Sequence, residues 1–217
     1  MLRFLVVGTL RCGMEYTAQV LNRMGIPCGH RWAYTPDRVR RYPEIAILGD
    51  ASPMAVPFAK DFNGLVLHQV RHPLEVIGSL VDAARSRNPL THGPEGEFLA
   101  NHFVARGDAL DDAMRYCVEW NARCERHDAY RRFRIEDLDA GRLLRIADMI
   151  GEAVDDSTVA RALEVVPTDF KRLDPAERLS WSDLPVGPSL DALLRQAARY
   201  GYPVNDPIPQ IAAGVAG

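Results

Sequence analysis

The N-terminal segment constrains the fold more than any other part of the chain. An apolar run from Leu5 to Val7 leads into a loop bounded by Gly8 and Gly13, and a helical pattern follows over residues 14–24. A strand, a glycine-bounded loop and a helix in this order form a phosphate cradle, because backbone N–H groups and the helix N-terminus converge on an anion there. The sequence therefore predicts an anion-binding loop over residues 8–13.

The two glycines have the GxxxxG spacing of the P-loop, but the residues that should follow are different. Met14 and Glu15 stand where a P-loop has a lysine for the β- and γ-phosphates and a serine or threonine for Mg²⁺. This difference argues against nucleoside triphosphatase chemistry and favours a phosphate or sulfate donor that is handled without metal. Arg11 is the cation that the loop itself offers.

A second strand-to-helix junction carries another arginine. Residues 64–70 have the pattern of a buried strand, Arg71 follows at its end, and Pro73 opens a helical pattern at a position where its missing N–H costs nothing. Ligands of open α/β sheets bind at the carboxyl ends of strands, so we expect Arg71 and the residues up to Ser79 to face the same crevice as Arg11. Residues 130–138 form a third strand-to-helix segment.

The alternation of patterns along the chain predicts an α/β protein with three layers, α/β/α, around a central parallel sheet, as in the P-loop NTPases. Strands are predicted at 3–8, 45–49, 64–70 and 130–135, and helices near 14–24, 53–61, 73–86, 108–126, 140–150, 156–165 and 189–199. One domain is expected over 1–202, followed by a loosely ordered tail over 203–217. Turn-forming residues dominate 87–107, which is either a lid or acceptor pocket or a plain surface loop.

Several polar and aromatic residues have expected places in this scheme. His68, within a strand pattern, is expected to be a hydrogen-bonded core residue, and the apolar spacing of 108–126 explains the burial of Trp120. His72 is expected to cap the helix that Pro73 opens. Cys12, at a helix N-terminus, is expected to have a lowered pKa.

Composition and charge exclude some functions. A net charge of −3 gives no general attraction for nucleic acid or an anionic membrane, and no apolar run approaches a membrane-spanning length. The four cysteines have neither CxxC spacing nor the density of a disulfide scaffold. We therefore expect a cytoplasmic protein without structural metal.

Three segments resemble the sulfotransferases that use 3′-phosphoadenosine 5′-phosphosulfate. Residues 71–79 keep the arginine, proline, valine and serine of the family's 3′-phosphate motif, R-D-P-x-x-V-x-x-S. Residues 11–16 line up with its 5′-phosphosulfate loop, R/K-S-G-T-T-Y/W, and residues 134–138 are similar to its R-Y-E-D-L segment. The likeness runs from residue 1 to about residue 151 and extends weakly to about residue 202.

This resemblance implies a fold, a co-substrate and a set of site residues. It implies sulfuryl transfer from 3′-phosphoadenosine 5′-phosphosulfate, without metal, to a hydroxyl or amine of a small-molecule or oligomeric acceptor. The implied donor-binding residues are Arg11, Cys12, Gly13, Met14, Glu15, Tyr16, Thr17, Arg71 and Ser79. Family members usually have two hydroxyl residues at positions 14 and 15; here Thr17 is a candidate replacement if Glu15 points away from the loop.

Sulfuryl transfer needs a base for the acceptor proton and a cation for the charge on the bridging oxygen. Arg11 is the expected cation. Two residues are candidates for the base, His30 and Asp50, because both lie beyond strand-like segments, where active-site residues accumulate. The resemblance supports this region without choosing between the two.

Two other functions stay open from the sequence. One is a P-loop kinase of a nucleotide or small metabolite, against which the missing lysine and hydroxyl count. The other is a catalytically inactive binding protein that has kept the fold and one phosphate site, which would suit an intact Arg71 and Ser79 beside an altered first loop.

Overall fold

A parallel sheet with a buried central strand organises the fold. The computed structural model describes residues 2–36, 47–127, 130–166 and 179–204. Its strands are β1 (Phe4–Val7), β2 (Cys28–His30), β3 (Gly49–Ala51), β4 (Leu65–Val70) and β5 (Tyr130–Arg134). All pairings are parallel, and the order across the sheet is β2-β3-β1-β4-β5. Every residue of β1 is buried, as expected of a strand that is covered on both faces.

Helices cover the sheet in two groups. They are α1 (Met14–Arg23), α2 (Pro73–Arg87), α3 (Gly93–Leu99), α4 (Ala109–Cys124), α5 (Ala140–Ile150), α6 (Asp156–Val165) and α7 (Pro188–Arg199), with 3₁₀ helices at Pro53–Asp61, Ile135–Asp137 and Trp181–Asp183. In one group α6 contacts α1 and α5; in the other α4 contacts α2, α7 and the first 3₁₀ helix. The predicted three-layer α/β/α architecture is confirmed.

Two elements differ from the predictions. Strand β3 begins at Gly49, whereas the apolar pattern predicted a strand over 45–49, of which 45 and 46 lie outside the described residues. The turn-forming stretch contains α3, because Pro94 stands in a helix's first turn, where proline is favoured. Of the predicted tail, residues 205–217 lie outside the described part of the chain. None of the helices in the described ranges is long and apolar enough to cross a membrane.

Polar side chains join β4 to the helical layer formed by α4 and α7. The buried imidazole of His68 makes a 3.0 Å hydrogen bond through Nε2 with Oδ1 of Asn121. Nδ2 of Asn121 in turn donates to Oε1 of Gln196 over 3.2 Å. The Trp120 indole is buried and donates to the carbonyl oxygen of Pro53 over 3.1 Å. His68 and Trp120 are therefore core residues, as predicted.

Burial of His68 makes the stability of the fold depend on pH. Loss of hydration lowers the pKa of His68 from 6.5 to about 4, so below pH 6.5 the unfolded chain binds a proton that the folded chain does not. The contribution of His68 to the free energy of unfolding then falls as pH falls, by about 2 kcal/mol between neutral pH and about pH 5. We expect His68→Gln to remove this part of the pH dependence in urea denaturation at the two pH values.

The exposed His92 provides the matched control for this experiment. His92→Gln should lose as much stability on acidification as the unmodified protein. An equal acid loss in His68→Gln and the unmodified protein would contradict the assignment to His68.

Candidate active site

The loop between β1 and α1 packs directly on β4. A Cβ atom on Gly8 would lie 2.4 Å from the carbonyl oxygen of Gln69 and 2.8 Å from Sγ of Cys12, so only glycine allows this approach. Gly13 is the N-cap of α1 and has a φ of 87°, in the left-handed region that glycine adopts without strain. The two glycines predicted to bound the loop are thus both required by its geometry.

Protein donors occupy the carbonyl oxygens at the tip of this loop. Nε2 of Gln69 donates to the carbonyl oxygen of Cys12 over 2.7 Å, and Nη1 of Arg71 donates to that of Arg11 over 3.1 Å. These two carbonyl dipoles are therefore directed at the protein rather than at an anion in the loop. No side chain caps the N-terminus of α1, whose first N–H groups have no partner within the helix. These N–H groups at the start of α1 can donate hydrogen bonds to an anion that is bound in the loop.

Two buried side chains that the sequence analysis missed position the loop. Oε1 of Gln69 accepts a 2.6 Å hydrogen bond from the Thr17 hydroxyl, so this one amide joins the loop to α1. The hydroxyl of Tyr116, on α4, accepts the N–H of Leu10 over 2.9 Å. A glutamine within the apolar pattern of β4 was an available signal, because buried polar groups are hydrogen-bonded. Tyr116 gave no signal, since it fits the apolar face of its helix.

Three of the predicted donor-binding side chains are buried. Cys12 and Met14 belong to the core, with exposed fractions of 0% and 4%, and the Thr17 hydroxyl is bonded to Gln69. Burial raises the pKa of Cys12 to about 12, so the expectation of a lowered pKa is wrong. Desolvation of the thiolate outweighs the favourable charge of the nearby Arg71. These three residues can serve an anion only through their backbone.

Two charged side chains of the loop region are exposed. Arg11 has a φ of 67°, a left-handed conformation that is uncommon for a residue with a side chain. Glu15 accepts a 3.4 Å hydrogen bond from Gln19, one turn further along α1. Its carboxylate thus has a partner along the helix surface. Tyr16, the remaining predicted residue of this turn, is half-buried, and burial raises its pKa.

Arg71 lies at the end of β4 in contact with the loop, as the sequence predicted. Its guanidinium is 11% exposed and also forms a 3.2 Å ion pair with Glu75, one turn along α2. Ser79, half-buried on the same helix, lies one turn beyond Glu75. The structure therefore joins the first two predicted motifs through the contact between Arg71 and the Arg11 carbonyl.

The third motif docks on the second. Glu136 accepts the backbone N–H of His72 over 2.7 Å through one carboxylate oxygen and the Tyr202 hydroxyl over 2.9 Å through the other. Arg134 and Asp137 form a two-bond ion pair with both distances at 2.7 Å. His72 is the N-cap residue of α2, but its ring makes no capping hydrogen bond and packs against Tyr202 with 5.0 Å between ring centres. The expected capping role of the His72 side chain is wrong.

His30, the last residue of β2, lies beside the first turn of α1. Burial and the charge of Arg31 lower its pKa to about 4, while the charge of Glu15 opposes the shift. The imidazole is therefore neutral at neutral pH and able to accept a proton. In the parallel register His30 pairs with Ala51, which pairs with Val6 near the end of β1, so His30 lies at the loop side of the sheet.

Asp50 has a different environment. Its side chain is completely buried in β3, and its carboxylate accepts three backbone N–H groups, from Trp32 at 3.0 Å, Ala33 at 3.3 Å and Tyr34 at 3.1 Å. Burial raises the pKa of Asp50, and the three N–H groups oppose that rise. The carboxylate thus holds the turn that follows His30. This environment leaves no exposed surface through which Asp50 could reach an acceptor.

A cavity of about 230 Å³ lies against the loop. The start of the turn-forming stretch supplies one wall of it, so these residues are part of the site region rather than a remote surface loop. The residues that line the cavity include Arg11, Arg31, Arg87, His92, Pro94 and Glu95. Among the residues that the structure describes, no group of three or more His, Cys, Asp or Glu side chains is placed to hold a metal ion.

The parallel sheet, the glycine-bounded loop after its central strand and the flanking helices define an α/β protein. No protein-family model and no curated protein matches the sequence. Among solved structures, the sulfotransferase domain of the Synechococcus PCC 7002 olefin synthase is similar, with a TM-score of 0.50 and 15% identity over 94% of this chain and 95% of that one. Mouse sulfotransferase SULT7A1 complexed with PAP gives a TM-score of 0.48 and 14% identity over 88% of this chain and 73% of that one. The chain has the sulfotransferase fold.

Proposed function

We propose that this protein is a sulfotransferase that transfers the sulfuryl group of 3′-phosphoadenosine 5′-phosphosulfate to a hydroxyl or amine. The observation that carries the proposal is the loop over residues 8–13, whose Arg11 and Cys12 carbonyls are bonded into the protein while α1 begins without a side-chain cap. The likeness of the fold to a sulfotransferase domain supports the same class.

The residues present suit a donor with anionic groups at both ends. In the proposed complex the loop binds the 5′-phosphosulfate, and Arg71 with Ser79 binds the 3′-phosphate, as the resemblance implies. Met14, which is buried, stands where a P-loop has the lysine for the β- and γ-phosphates, and the Thr17 hydroxyl is bonded to Gln69 rather than available to Mg²⁺. This supports a metal-free donor over a nucleoside triphosphate. Four buried free thiols agree with the cytoplasmic location that we propose.

The proposed reaction assigns one role to each of two side chains. His30, neutral at neutral pH, accepts the proton of the acceptor hydroxyl or amine as that atom forms a bond to sulfur. The bond between sulfur and the bridging oxygen of the donor breaks, and the electron pair stays on that oxygen as part of the 5′-phosphate. Arg11 and the N–H groups of the loop face the negative charge that develops there.

Calorimetric titration with 3′,5′-adenosine bisphosphate (PAP), without Mg²⁺, tests the donor site. We expect micromolar binding, and at least a tenfold loss in Arg71→Ala, because the substitution removes a charge-assisted contact of about 1.5–3 kcal/mol. The matched control is Arg85→Ala on α2, the helix that follows Arg71, where the Arg85 side chain is 74% exposed. Circular dichroism melting of both variants checks that the fold persists.

A parallel titration with ATP and Mg²⁺ tests the two competing functions. Clear binding of ATP with Mg²⁺ and none of PAP would replace the proposal with a P-loop kinase. Binding of neither nucleotide would mean that the loop does not bind the donor and that the protein is a catalytically inactive protein with this fold. Unchanged PAP affinity in Arg71→Ala would show that residues other than Arg71 bind the 3′-phosphate.

A further inference from the structure

We infer that the acceptor is a small anion, or an anionic end of a larger molecule, whose negative group is held by Arg87 in the cavity beside the loop. This inference rests on the proposed function, since it names the substrate class of the same site. It follows from charge, backbone conformation and volume around the cavity.

The cavity has more positive than negative charge. Three arginines and one acidic residue, Glu95, are among the residues that line it, which leaves a surplus of two positive charges. Glu95 pairs with Arg31 over 2.7 Å, and the proposed donor complex uses Arg11. One positive charge then remains for the acceptor. In the described part of the chain no carboxylate lies within ion-pair distance of Arg87, so its guanidinium is the group that an acceptor anion would meet.

Backbone strain is concentrated at this cavity. Within the described residues, two non-glycine residues have a positive φ, Arg11 at 67° and Arg31 at 58°, and both line it. Such a conformation costs roughly 1–2 kcal/mol and persists where the surroundings enforce it, often at ligand sites. Nε of Arg31 is also buried without a hydrogen-bond partner in the described structure, a further unfavourable term. Both arginines are thus held at the cavity against local preference.

Arg87 is placed by contact with the backbone at the start of α3. A Cβ atom on Gly93, whose φ is 76°, would lie 3.2 Å from Cζ of Arg87. The guanidinium therefore lies against the Gly93 backbone, although the residue is exposed overall. A cavity of about 230 Å³ is smaller than the roughly 300–1,000 Å³ of sites for drug-sized ligands, which indicates a compact anionic group.

Three probes of nearly equal size and different charge test the inference: 4-hydroxyphenylacetate, its neutral amide 4-hydroxyphenylacetamide, and the cationic tyramine. Each is titrated calorimetrically into the protein saturated with PAP. We expect the carboxylate to bind at least tenfold more tightly than the amide, and tyramine to bind more weakly still. Arg87→Gln should abolish the preference for the carboxylate. Arg85→Gln, the same charge change two positions away and outside the cavity, should keep it.

Equal affinity for the three probes, or no binding of the carboxylate at millimolar concentration, would overturn the inference. A preference that survives Arg87→Gln would do the same. The titrations are repeated without PAP, so that failure of the proposed function is distinguishable from failure of this inference. Loss of PAP binding with a retained, Arg87-dependent carboxylate preference would overturn only the donor assignment.

Discussion

Asp50→Asn is expected to lower the free energy of unfolding by about 3 kcal/mol. The carboxylate is completely buried and accepts three backbone N–H groups from residues 32–34. An asparagine amide has one oxygen, so its NH₂ group would face at least one of these donors without an acceptor between them. Since the Asp50 side chain is buried, the lost charge-assisted bonds and the unpaired N–H group both reduce stability.

Urea denaturation measures this effect, with Asp82→Asn as the matched control. Asp82 is on α2, its side chain is 56% exposed, and it pairs with Arg85 over 3.4 Å, so its substitution should change stability by less than about 0.5 kcal/mol. A general base would behave differently: its substitution would slow sulfuryl transfer and leave the unfolding transition in place. An unchanged transition in Asp50→Asn would therefore restore Asp50 as a candidate base.

Local signals account for the helices that were predicted accurately. Helices α5 and α6 have the predicted bounds because Asp139 and Asp155 stand before them and accept the N–H of the residue three positions later. Their apolar residues recur on one face of the helix, a pattern that is typical of helices that pack on a core. Short-range chemistry of this kind is readable without knowledge of the rest of the chain.

The position of β3 was not readable in this way. The apolar run before Gly49 predicted a strand over 45–49, but β3 pairs with β1 from Gly49 onward. A Cβ atom on Gly49 would lie 2.2 Å from two ring carbons of the buried Phe4, so the absence of a side chain at that residue allows the pairing. The partner ring lies far away in the chain. From the sequence alone, Gly49 was therefore predicted as the last residue of the strand, whereas it is the first residue of β3.

The same limit applies to the candidate site. Arg11 and Arg71 were predicted to share a crevice because both follow strands, and this needed only the parallel topology. The hydrogen bond from Leu10 to the Tyr116 hydroxyl joins residues 106 positions apart, and that from Thr17 to Gln69 joins residues 52 positions apart. Such partners are set by packing between elements, so the sequence identified the motifs but not the residues that position them.

Arg11→Asn is expected to slow the proposed sulfuryl transfer by about 10²–10³-fold, equivalent to about 3–4 kcal/mol of transition-state stabilisation. The guanidinium is exposed at the tip of the loop, and no hydrogen bond or ion pair within the described residues engages it, so its removal leaves the packing of the loop intact. Asparagine is the replacement of choice because it tolerates the φ of 67° at this position better than most residues. The stability of the variant should therefore stay close to that of the unmodified protein.

Single-turnover conversion of 3′-phosphoadenosine 5′-phosphosulfate to PAP, with 4-hydroxyphenylacetate present so that its phenol oxygen takes the sulfuryl group, gives the rate by chromatography, and calorimetry measures PAP affinity. Arg23→Asn, in the last turn of α1 and exposed, is the matched control and should not alter the rate. The charge on the bridging oxygen grows as the bond to sulfur breaks, so a residue that faces this oxygen must affect the rate more than the affinity for the donor. Equal losses in rate and in PAP affinity would show that Arg11 stabilises the bound nucleotide and the transition state to the same extent. An unchanged rate would show that the N–H groups of the loop stabilise the developing charge without help from Arg11.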